Sequence, residues 1–485
     1  MKIGWTFLLL LASVLPAAEV QLSADLPVTD ARWSWTYSGR MPPLFDRNLS
    51  GNPISIGGEH MNNGICGHVP FSMVYNVRGT ADGFTALIGL EGEDHPKDIE
   101  RKDAIAPSVM IEIRVDRETV FKREIKLGAP AVPVWIDLHG KTQIELRGDS
   151  GKGSFQRHRI AWGKPVFLCT RPELLRTTLA QEKQKRDTIF TTPRSYPPPP
   201  AWKNIAIKKI TWQGYHNAYE INNGVLKAIF VPEMGGRIIW LSGQSGQNLL
   251  CDRLPQDRNP IPARGRAEDM TGGHFIRLLP QDYFIPTDPV LEQGPYDVSF
   301  PAEGVIAMRS SSSPIFLVKY EYRFEFQPNN GQVKVGNRIQ NTAPFPHQAG
   351  VWSLTRLPGG KVTKVVIPHS LAKQESHFKI RNEKGAAKVI RENGVFRVKL
   401  AESIPRDFFL ELLCSSLPMV LLAEFNSGNR LNITYQAKAD KPGIVHIFAD
   451  RFFTELEGHG NVVFLRPGDS CSLNETWSFD LAETK

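Results

Sequence analysis

The sequence of 485 residues lacks most short motifs that identify a nucleotide-binding or hydrolytic protein. It has no phosphate-binding loop, no dinucleotide fingerprint and no serine-nucleophile elbow. Cysteine is scarce and forms no CxxC pair, which argues against a zinc site and against a disulfide-built scaffold. We therefore expect no metal and no cofactor, and we expect burial for most of the five cysteines, which are Cys66, Cys169, Cys251, Cys414 and Cys471.

Long apolar runs are absent except at the N-terminus. Lys2 precedes an apolar run from Ile3 to Leu15, which is too short to span a bilayer, and small residues follow at Ala17 and Ala18. This pattern predicts a signal peptide in residues 1–18 and an exported chain, periplasmic or secreted, with a membrane anchor as the alternative. No other stretch predicts a membrane span.

Charge is unevenly distributed. The net charge is +8, and much of the excess lies in residues 171–203. A nucleic-acid-binding face would be spread over a fold, so we expect no nucleic-acid partner and interpret this charge as a solvated connector. Leu174 to Asp187 is compatible with a short charged helix, and Pro197 to Pro200 predicts a stiff polyproline spacer. The segment predicts a basic, Pro-rich linker between domains at 19–170 and 204–482.

Alternating strands dominate both sides of this linker. Val109, Ile111 and Ile113 are separated by polar or longer side chains. After the linker, Tyr320 and Tyr322 alternate with charged residues in the same way. No segment shows a long helical period. We predict an all-β protein with an N-terminal sandwich of about 150 residues and a large antiparallel C-terminal sandwich.

Residues 54–168 resemble the carbohydrate-binding module family first recognised on family-98 glycoside hydrolases. The matching segments are Gly57-Gly58, Gly64 to Pro70, Val74 to Val77, Phe84 to Leu90, Val109 to Asp116 and Ala161 to Gly163. The resemblance implies a jelly-roll sandwich that binds sugars through aromatic faces and planar polar groups. The candidates are Trp33, Trp35, Tyr37, His68 and Trp162. The alternative is that Trp162 belongs to the core and that His68 caps a turn.

The C-terminal domain resembles an uncharacterised branch of the galactose mutarotase-like (aldose epimerase-like) superfamily. The resemblance rests on Pro232 to Ile238, Thr271 to His274, Asn337 to Leu357 and Glu455 to Glu457. It implies a large antiparallel supersandwich whose enzymes use a glutamate and a histidine as base and acid.

The catalytic pair implied by this resemblance is incomplete. Glu455 or Glu457 would be the base, and their spacing of two places both on one strand face. Trp352 occupies the position of the acid, and His347 lies at an odd offset from it, which predicts the opposite face. His274 would serve as the acid only if its loop crossed the site.

Trp352 suits a stacking platform for a pyranose ring instead. Its predicted polar partners are Arg237, Arg264, Arg266, His274 and Glu455. The alternative is that Arg264 and Arg266 lie on a mobile loop and that Glu455 pairs with Arg451.

Three functions remain open at this point. The first is an exported carbohydrate-binding protein with two sugar-recognition domains, whose partner is an oligo- or polysaccharide. The second is an aldose mutarotase or epimerase, or a lyase or hydrolase, acting through Glu455. The third is a structural envelope protein, for which the Gly-Gly loops would have no purpose.

Overall fold

The computed structural model describes residues 17–33, 43–48, 50–92, 108–150, 159–194, 196–254, 271–280, 288–367, 378–382, 387–392, 395–401, 408–414, 419–436 and 443–480. These residues form 34 strands and two helices. The chain divides into two compact units between Lys183 and Gln184. All strand pairs within them are antiparallel, so the predicted all-β class is confirmed. Neither helix is long and apolar enough to cross a membrane.

The first unit contains two large sheets. Within the described residues one sheet has the order β11-β8-β13-β6-β3, with β1 also paired to β13, and the other has the order β10-β9-β12-β7-β2. A short hairpin, β4–β5, accompanies them. The strands are β1 (Ala18–Gln21), β2 (Asp30–Trp33), β3 (Leu44–Phe45), β4 (Ile54–Ile56), β5 (Glu59–Met61), β6 (Gly64–His68), β7 (Phe71–Tyr75), β8 (Gly83–Leu90), β9 (Ser108–Val115), β10 (Glu118–Lys126), β11 (Val132–Asp137), β12 (Ile144–Ser150) and β13 (Arg159–Cys169).

The core of this unit lies between its two large sheets. Ile88 and Phe167 enter it from one sheet, and Ile111 and Leu146 enter it from the other. The alternation in β9 therefore buries the predicted side of the strand. Cys66 and Cys169 are buried as well, which agrees with the expected fate of the cysteines.

The connector is more closely packed than its charge predicts. Helix α1 (Pro172–Thr191) is longer than the predicted helix, and Leu175 and Leu179 join the core of the first unit. The carboxylate of Glu182 accepts hydrogen bonds from the side chains of Asn76 (3.1 Å) and Arg78 (2.9 Å). The interpretation of this helix as a solvated connector is wrong, because leucines four residues apart give it an apolar face.

The proline run also packs against protein. The hydroxyl of Tyr219 donates to the carbonyl of Pro197 at 2.7 Å, and Trp202 contacts Phe300 with ring centroids 5.9 Å apart. Residues 196–202 therefore line the second unit and do not form a free spacer. The predicted domain limits themselves stay a prediction.

The second unit begins with an eleven-stranded sheet in the order β14-β15-β16-β17-β18-β23-β32-β31-β28-β25, with β33 paired to β23. This count refers to the described residues. The strands are β14 (Ala206–Trp212), β15 (Tyr215–Asn222), β16 (Lys227–Val231), β17 (Arg237–Ser242), β18 (Gly273–Leu279), β23 (His347–Pro358), β25 (Phe378–Asn382), β28 (Phe408–Cys414), β31 (Gly443–Ala449), β32 (Phe453–His459) and β33 (Val463–Leu465).

A ten-stranded sheet forms the second layer, in the order β19-β20-β21-β22-β34-β30-β29-β24-β27-β26 over the described residues. Helix α2 (Pro289–Glu292) precedes it. The strands are β19 (Asp297–Ala302), β20 (Val305–Arg309), β21 (Val318–Phe326), β22 (Gln332–Asn341), β24 (Val362–Ile367), β26 (Ala387–Glu392), β27 (Val395–Leu400), β29 (Met419–Phe425), β30 (Arg430–Gln436) and β34 (Ser470–Asp480).

The two layers share one large apolar core. Ile276 and Leu456 enter it from the eleven-stranded sheet, and Tyr320, Val335 and Trp477 enter it from the ten-stranded sheet. The predicted large antiparallel sandwich is therefore confirmed.

The predicted Gly-Gly turn precedes β17. Gly235 and Gly236 both have positive φ, at 66° and 62°. A Cβ on Gly235 would lie 2.1 Å from the carbonyl oxygen of Glu292, and one on Gly236 would lie 2.5 Å from the ring of Tyr296. Only glycine fits this close approach, which carries the chain into β17 directly beneath Glu292.

Candidate functional site

A polar cluster covers the outer face of the central strands of the eleven-stranded sheet. Since successive residues of a strand point to opposite faces, the residues next to the core positions Ile276, Val351, Leu456 and Ile447 point away from the other sheet. The face formed by β18, β23, β32, β31 and β28 carries Phe275, Arg277, Trp352, Arg356, Glu455, Glu457, His459, His446 and Glu411. We call these residues the outer-face cluster.

Glu457 is the centre of a hydrogen-bonded chain in this cluster. Its Oε2 accepts the indole N–H of Trp352 at 2.8 Å and lies 3.1 Å from Nδ1 of His446. The other ring nitrogen of His446 lies 3.0 Å from Oε2 of Glu411. Glu411 is a quarter exposed, whereas Glu457 and His446 are buried. The chain therefore connects a buried carboxylate to one that solvent reaches.

Glu455 lies on the same face, as its spacing of two from Glu457 predicts. It accepts a hydrogen bond from Nε of Arg356 at 2.6 Å, so its partner is Arg356 and the predicted pairing with Arg451 is wrong. Arg356 also donates to the carbonyl of Thr271 at 2.6 Å. Burial raises the pKa of Glu455, Arg356 lowers it, and the nearby Glu457 raises it further, with a net rise.

Arginines stack on the aromatic ring of Phe275 beside this pair. The guanidinium carbons of Arg237 and Arg356 lie 4.1 and 5.0 Å from the ring centroid. Arg237 is fully buried and donates to the carbonyls of Gly272 (3.1 Å) and Glu292 (3.4 Å). Burial lowers the pKa of Arg237 to about 10. The structure therefore places Arg237 against Phe275, with its guanidinium donating to backbone oxygens.

His459 ends β32 beside this chain of hydrogen bonds. Its ring lies 4.4 Å from that of His446 and 5.2 Å from that of Trp352, measured between centroids. Nε2 of His459 is buried and has no hydrogen-bond partner within the described residues. Burial lowers the pKa of His459 to about 3, and the adjacent His446 adds to the lowering.

His274 lies on the other face of the sheet. It is fully buried between the layers, where Nδ1 contacts the hydroxyl of Thr355 at 3.0 Å and Nε2 contacts Oδ1 of Asn337 at 3.1 Å. The outer-face cluster lies on the opposite side of the sheet from His274. The structure therefore does not bring His274 together with Glu455 or Glu457.

Two other predicted residues, His347 and Trp352, lie on opposite faces of β23. His347 begins β23 opposite Leu465, and the odd offset from Trp352 separates their side chains. Trp352 does share the face with Glu457, but its ring is only 4% exposed and is packed against His459 and Arg277. An open stacking platform at Trp352 is therefore not what the structure shows. Arg264 and Arg266 lie outside the described residues.

The first unit places its predicted aromatic residue in the interior. Trp162 is fully buried in the core, so the core alternative is correct and a sugar contact at Trp162 is wrong. His68 ends β6 opposite Arg159 and is 8% exposed. Trp35 and Tyr37 lie outside the described residues, as does the side chain of Trp33.

His68 makes the stability of the first unit dependent on pH. Burial, assisted by Arg159, lowers the pKa of His68 from about 6.5 to about 4. The unfolded chain therefore binds the proton more readily, and stability present above pH 6.5 is lost as the pH falls towards 4. We expect His68→Gln to reduce the loss of unfolding free energy on acidification by at most about 3 kcal/mol. Calorimetry of the full chain at pH 7 and pH 4.5 measures it, with His60→Gln, at an exposed position of β5, as the control.

An exposed aromatic residue stands on the outer surface of the first unit. Trp135 is 63% exposed on β11, between the buried residues Val134 and Ile136. Its indole nitrogen lies 3.6 Å from the position of a Cβ on Gly83, so the ring edge rests against the backbone of β8. Two residues further, Asp137 points to the same side of the strand.

Polar side chains continue this surface. Asp137 Oδ1 lies 2.6 Å from Nδ1 of His139, and the other ring nitrogen of His139 is 3.7 Å from Asp82. The hydrogen bond with His139 lowers the pKa of Asp137, and the same bond raises the pKa of His139. We call Trp135, Asp137, His139 and Asp82 the Trp135 surface. It combines one aromatic face with planar hydrogen-bonding groups.

Trp135, His446 and Glu411 are not among the residues predicted from the sequence. The alternation of Val134, Trp135 and Ile136 was a usable pattern, because apolar neighbours on both sides predict that the tryptophan points outward. His446 and Glu411 carried no such pattern. His446 meets Glu457 through the pairing of β31 with β32, and Glu411 meets His446 through the pairing of β28 with β31.

Comparison with known families and sequences identifies one domain. Residues 24–168 match the NPCBM/NEW2 domain, which confirms the resemblance proposed for the N-terminal half. No curated protein sequence matches the chain.

Solved structures similar to this chain include CBM51 from Clostridium perfringens GH95 in complex with methyl-galactose, at 20% identity over 31% of this chain and 99% of that chain, with a TM-score of 0.26. The tandem CBM51 modules of the family 98 glycoside hydrolase from Streptococcus pneumoniae are 21% identical over 31% of this chain and 47% of that chain, with a TM-score of 0.27. A protein of Escherichia coli K12, provisionally assigned as an aldose 1-epimerase, is 12% identical over 53% of this chain and 96% of its own, with a TM-score of 0.35.

Proposed function

We propose that this protein binds carbohydrate and that its first unit is the glycan-recognition module. The observation that carries the proposal is the match of residues 24–168 to the NPCBM/NEW2 domain. Because sugars offer C–H faces and hydroxyl groups, they are bound by exposed aromatic rings together with planar polar side chains.

The Trp135 surface is the best candidate for the contact in this unit. Trp135 offers an uncovered aromatic ring, and Asp137 and His139 offer hydrogen-bonding atoms on the same side. His68 has no comparable aromatic neighbour among the described contacts, and Trp162 is buried. We therefore place the sugar contact at Trp135 and not at His68 or Trp162.

A second candidate function is sugar chemistry in the second unit. The observation that favours it is the placement of Glu455, Glu457 and His446 on one face of the sheet. Mutarotation needs one group that accepts a proton and another that donates one, and carboxylate and imidazole groups supply both. In this candidate Glu457 and His446 form the acid–base pair, and Glu455 holds Arg356 on the same face of the sheet.

Glycan-array binding by the full chain, with a parallel polarimetric assay of glucose and galactose mutarotation, separates these functions. We expect saturable binding to at least one glycan class and no rate enhancement over buffer. A rate enhancement that is lost in Glu457→Gln and retained in Arg323→Met, a change on the opposite sheet, would establish the enzyme. Absence of both binding and turnover would contradict both proposals.

Export belongs to the same proposal. A glycan-binding protein meets polymeric glycans outside the cytoplasm, and the apolar run from Ile3 to Leu15 supports secretion. Edman sequencing of the protein recovered from the culture medium or periplasm tests it. An N-terminus near Glu19 is the expected result, and an intact Met1 in the cytoplasmic fraction would contradict it.

A further inference from the structure

We propose that the hairpin formed by β31 and β32 holds a divalent transition-metal ion between His446, Glu457 and His459. The three residues each direct one donor atom into a common space, and these atoms lie within 4.8 Å of one another. The inference does not rest on glycan binding by the first unit. It is an alternative to the acid–base role of Glu457 and His446, because a carboxylate and an imidazole bound to an ion do not exchange protons with a sugar.

One unpartnered ring nitrogen in the interior, together with the two donors beside it, carries the proposal. Among the residues that the structure describes, Nε2 of His459 has no hydrogen-bond partner, and the residue is only 7% exposed. A buried ring nitrogen without a partner is costly, since it has lost its hydrogen bond to water. An ion bound at this nitrogen would supply the missing partner.

The distances within the cluster fit an ion of the size of zinc. Nδ1 of His446 and Oε2 of Glu457 are 3.1 Å apart. Two ligands of a tetrahedral ion with bonds of about 2.0–2.1 Å are separated by about 3.3 Å. Small side-chain rotations would separate these two atoms slightly and direct both towards an ion that Nε2 of His459 also binds.

The surrounding residues supply the second layer of contacts that such sites use. Metal-binding histidines usually donate their other N–H to a carboxylate, which fixes the ring and its tautomer. Nε2 of His446 lies 3.0 Å from Oε2 of Glu411. The ligand carboxylate is also oriented, because Trp352 donates its indole N–H to Glu457 at 2.8 Å.

The chemistry of the donors selects the class of ion. Two imidazoles and one carboxylate suit Zn²⁺ and its neighbours in the first transition series. Ca²⁺ and Mg²⁺ prefer sets of oxygen ligands and fit this site poorly. Three protein ligands leave a fourth position for water or a substrate oxygen. Because the three ligands belong to the outer-face cluster, the ion would lie on the same face of the sheet as Glu455.

Titration of the tag-free full chain with Zn²⁺ by calorimetry, and with Co²⁺ by visible absorption, tests the proposal. We expect one ion per chain, a tetrahedral Co²⁺ spectrum and a rise in the thermal midpoint on Zn²⁺ addition, with no comparable response to Ca²⁺. His459→Ala should weaken Zn²⁺ binding on the order of 100-fold or more, and Glu411→Gln about 10- to 100-fold.

His216→Ala is the matched control, since this exposed histidine of β15 lies outside the cluster, and its Zn²⁺ affinity should equal that of the unmodified chain. Glu411→Gln should leave the fold intact, because Glu411 is a quarter exposed and the change preserves the shape of its side chain. A weaker Zn²⁺ affinity in this variant therefore reports on the site and not on misfolding. Failure of the unmodified chain to bind Zn²⁺ or Co²⁺, or equal affinities in His459→Ala, Glu411→Gln and the control, would overturn the metal site. None of these readouts involves a sugar, so failure here leaves the proposed function intact.

Discussion

Replacing Trp135 by alanine should reduce glycan binding by the full chain at least about tenfold. A tenfold loss corresponds to about 1.4 kcal/mol, which matches the removal of an aromatic face from a sugar ring together with its buried area. Trp135→Phe should retain part of the affinity, because it preserves a ring. Titration calorimetry with the strongest glycan from the array measures the change.

The structure separates this effect from a loss of folding. Because Trp135 is 63% exposed, its removal should leave the thermal midpoint of the first unit almost unchanged. Val120→Ala is the matched control, since Val120 is 49% exposed on β10 of the other sheet. Full affinity in Trp135→Ala would show that sugars bind elsewhere on the unit.

The largest effect on stability is expected at Arg356. Arg356→Met should destabilise the second unit by about 3–5 kcal/mol, because it leaves the buried carboxylate of Glu455 without its ionic partner. Arg356 and Glu455 are both less than a tenth exposed and are joined at 2.6 Å. Differential scanning calorimetry of the full chain at pH 7 measures the loss in the transition of that unit.

A double-mutant cycle tests whether the pair itself is responsible. Arg356→Met combined with Glu455→Leu should be less destabilised than Arg356→Met alone, since it removes the uncompensated charge. Arg323→Met is the control, because Arg323 and Glu325 form an ion pair on the surface whose loss costs at most about 1 kcal/mol. Equal losses of unfolding free energy at positions 323 and 356 would show that the buried pair stabilises the unit no more than the surface pair does.

The fold was predictable from local patterns. Alternation in segments such as 109–113 and 320–326 reflects the period of a strand with one buried face, and this period survives without knowledge of the partner strands. The helix in the connector was also visible, but its packing was not. Its charges obscured the two leucines, Leu175 and Leu179, that attach it to the first unit.

The candidate sites were predictable only in part. The spacing of Glu455 and Glu457 fixed their common face, because neighbours two apart in a strand point the same way. The partners of these carboxylates come from strands far away in sequence, and no local pattern specifies such pairings. The burial of His274 was not predictable from its local sequence either. A histidine after two glycines looks exposed in sequence, but the register of β18 directs it into the core.

The hairpin of β31 and β32 has a consequence for the order of assembly. His446, Glu457 and His459 lie within 14 residues of one another, and the three-residue connection is closed by Asp450, whose carboxylate accepts the N–H groups of Phe452 and Phe453. Glu411 reaches His446 only after the chain has crossed to the other sheet through β29 and β30 and returned. The strands that flank the hairpin in its sheet, β23 and β28, both precede it in the sequence. During synthesis the hairpin is therefore added between two strands that already exist, and the three ligands meet only when this late element has formed.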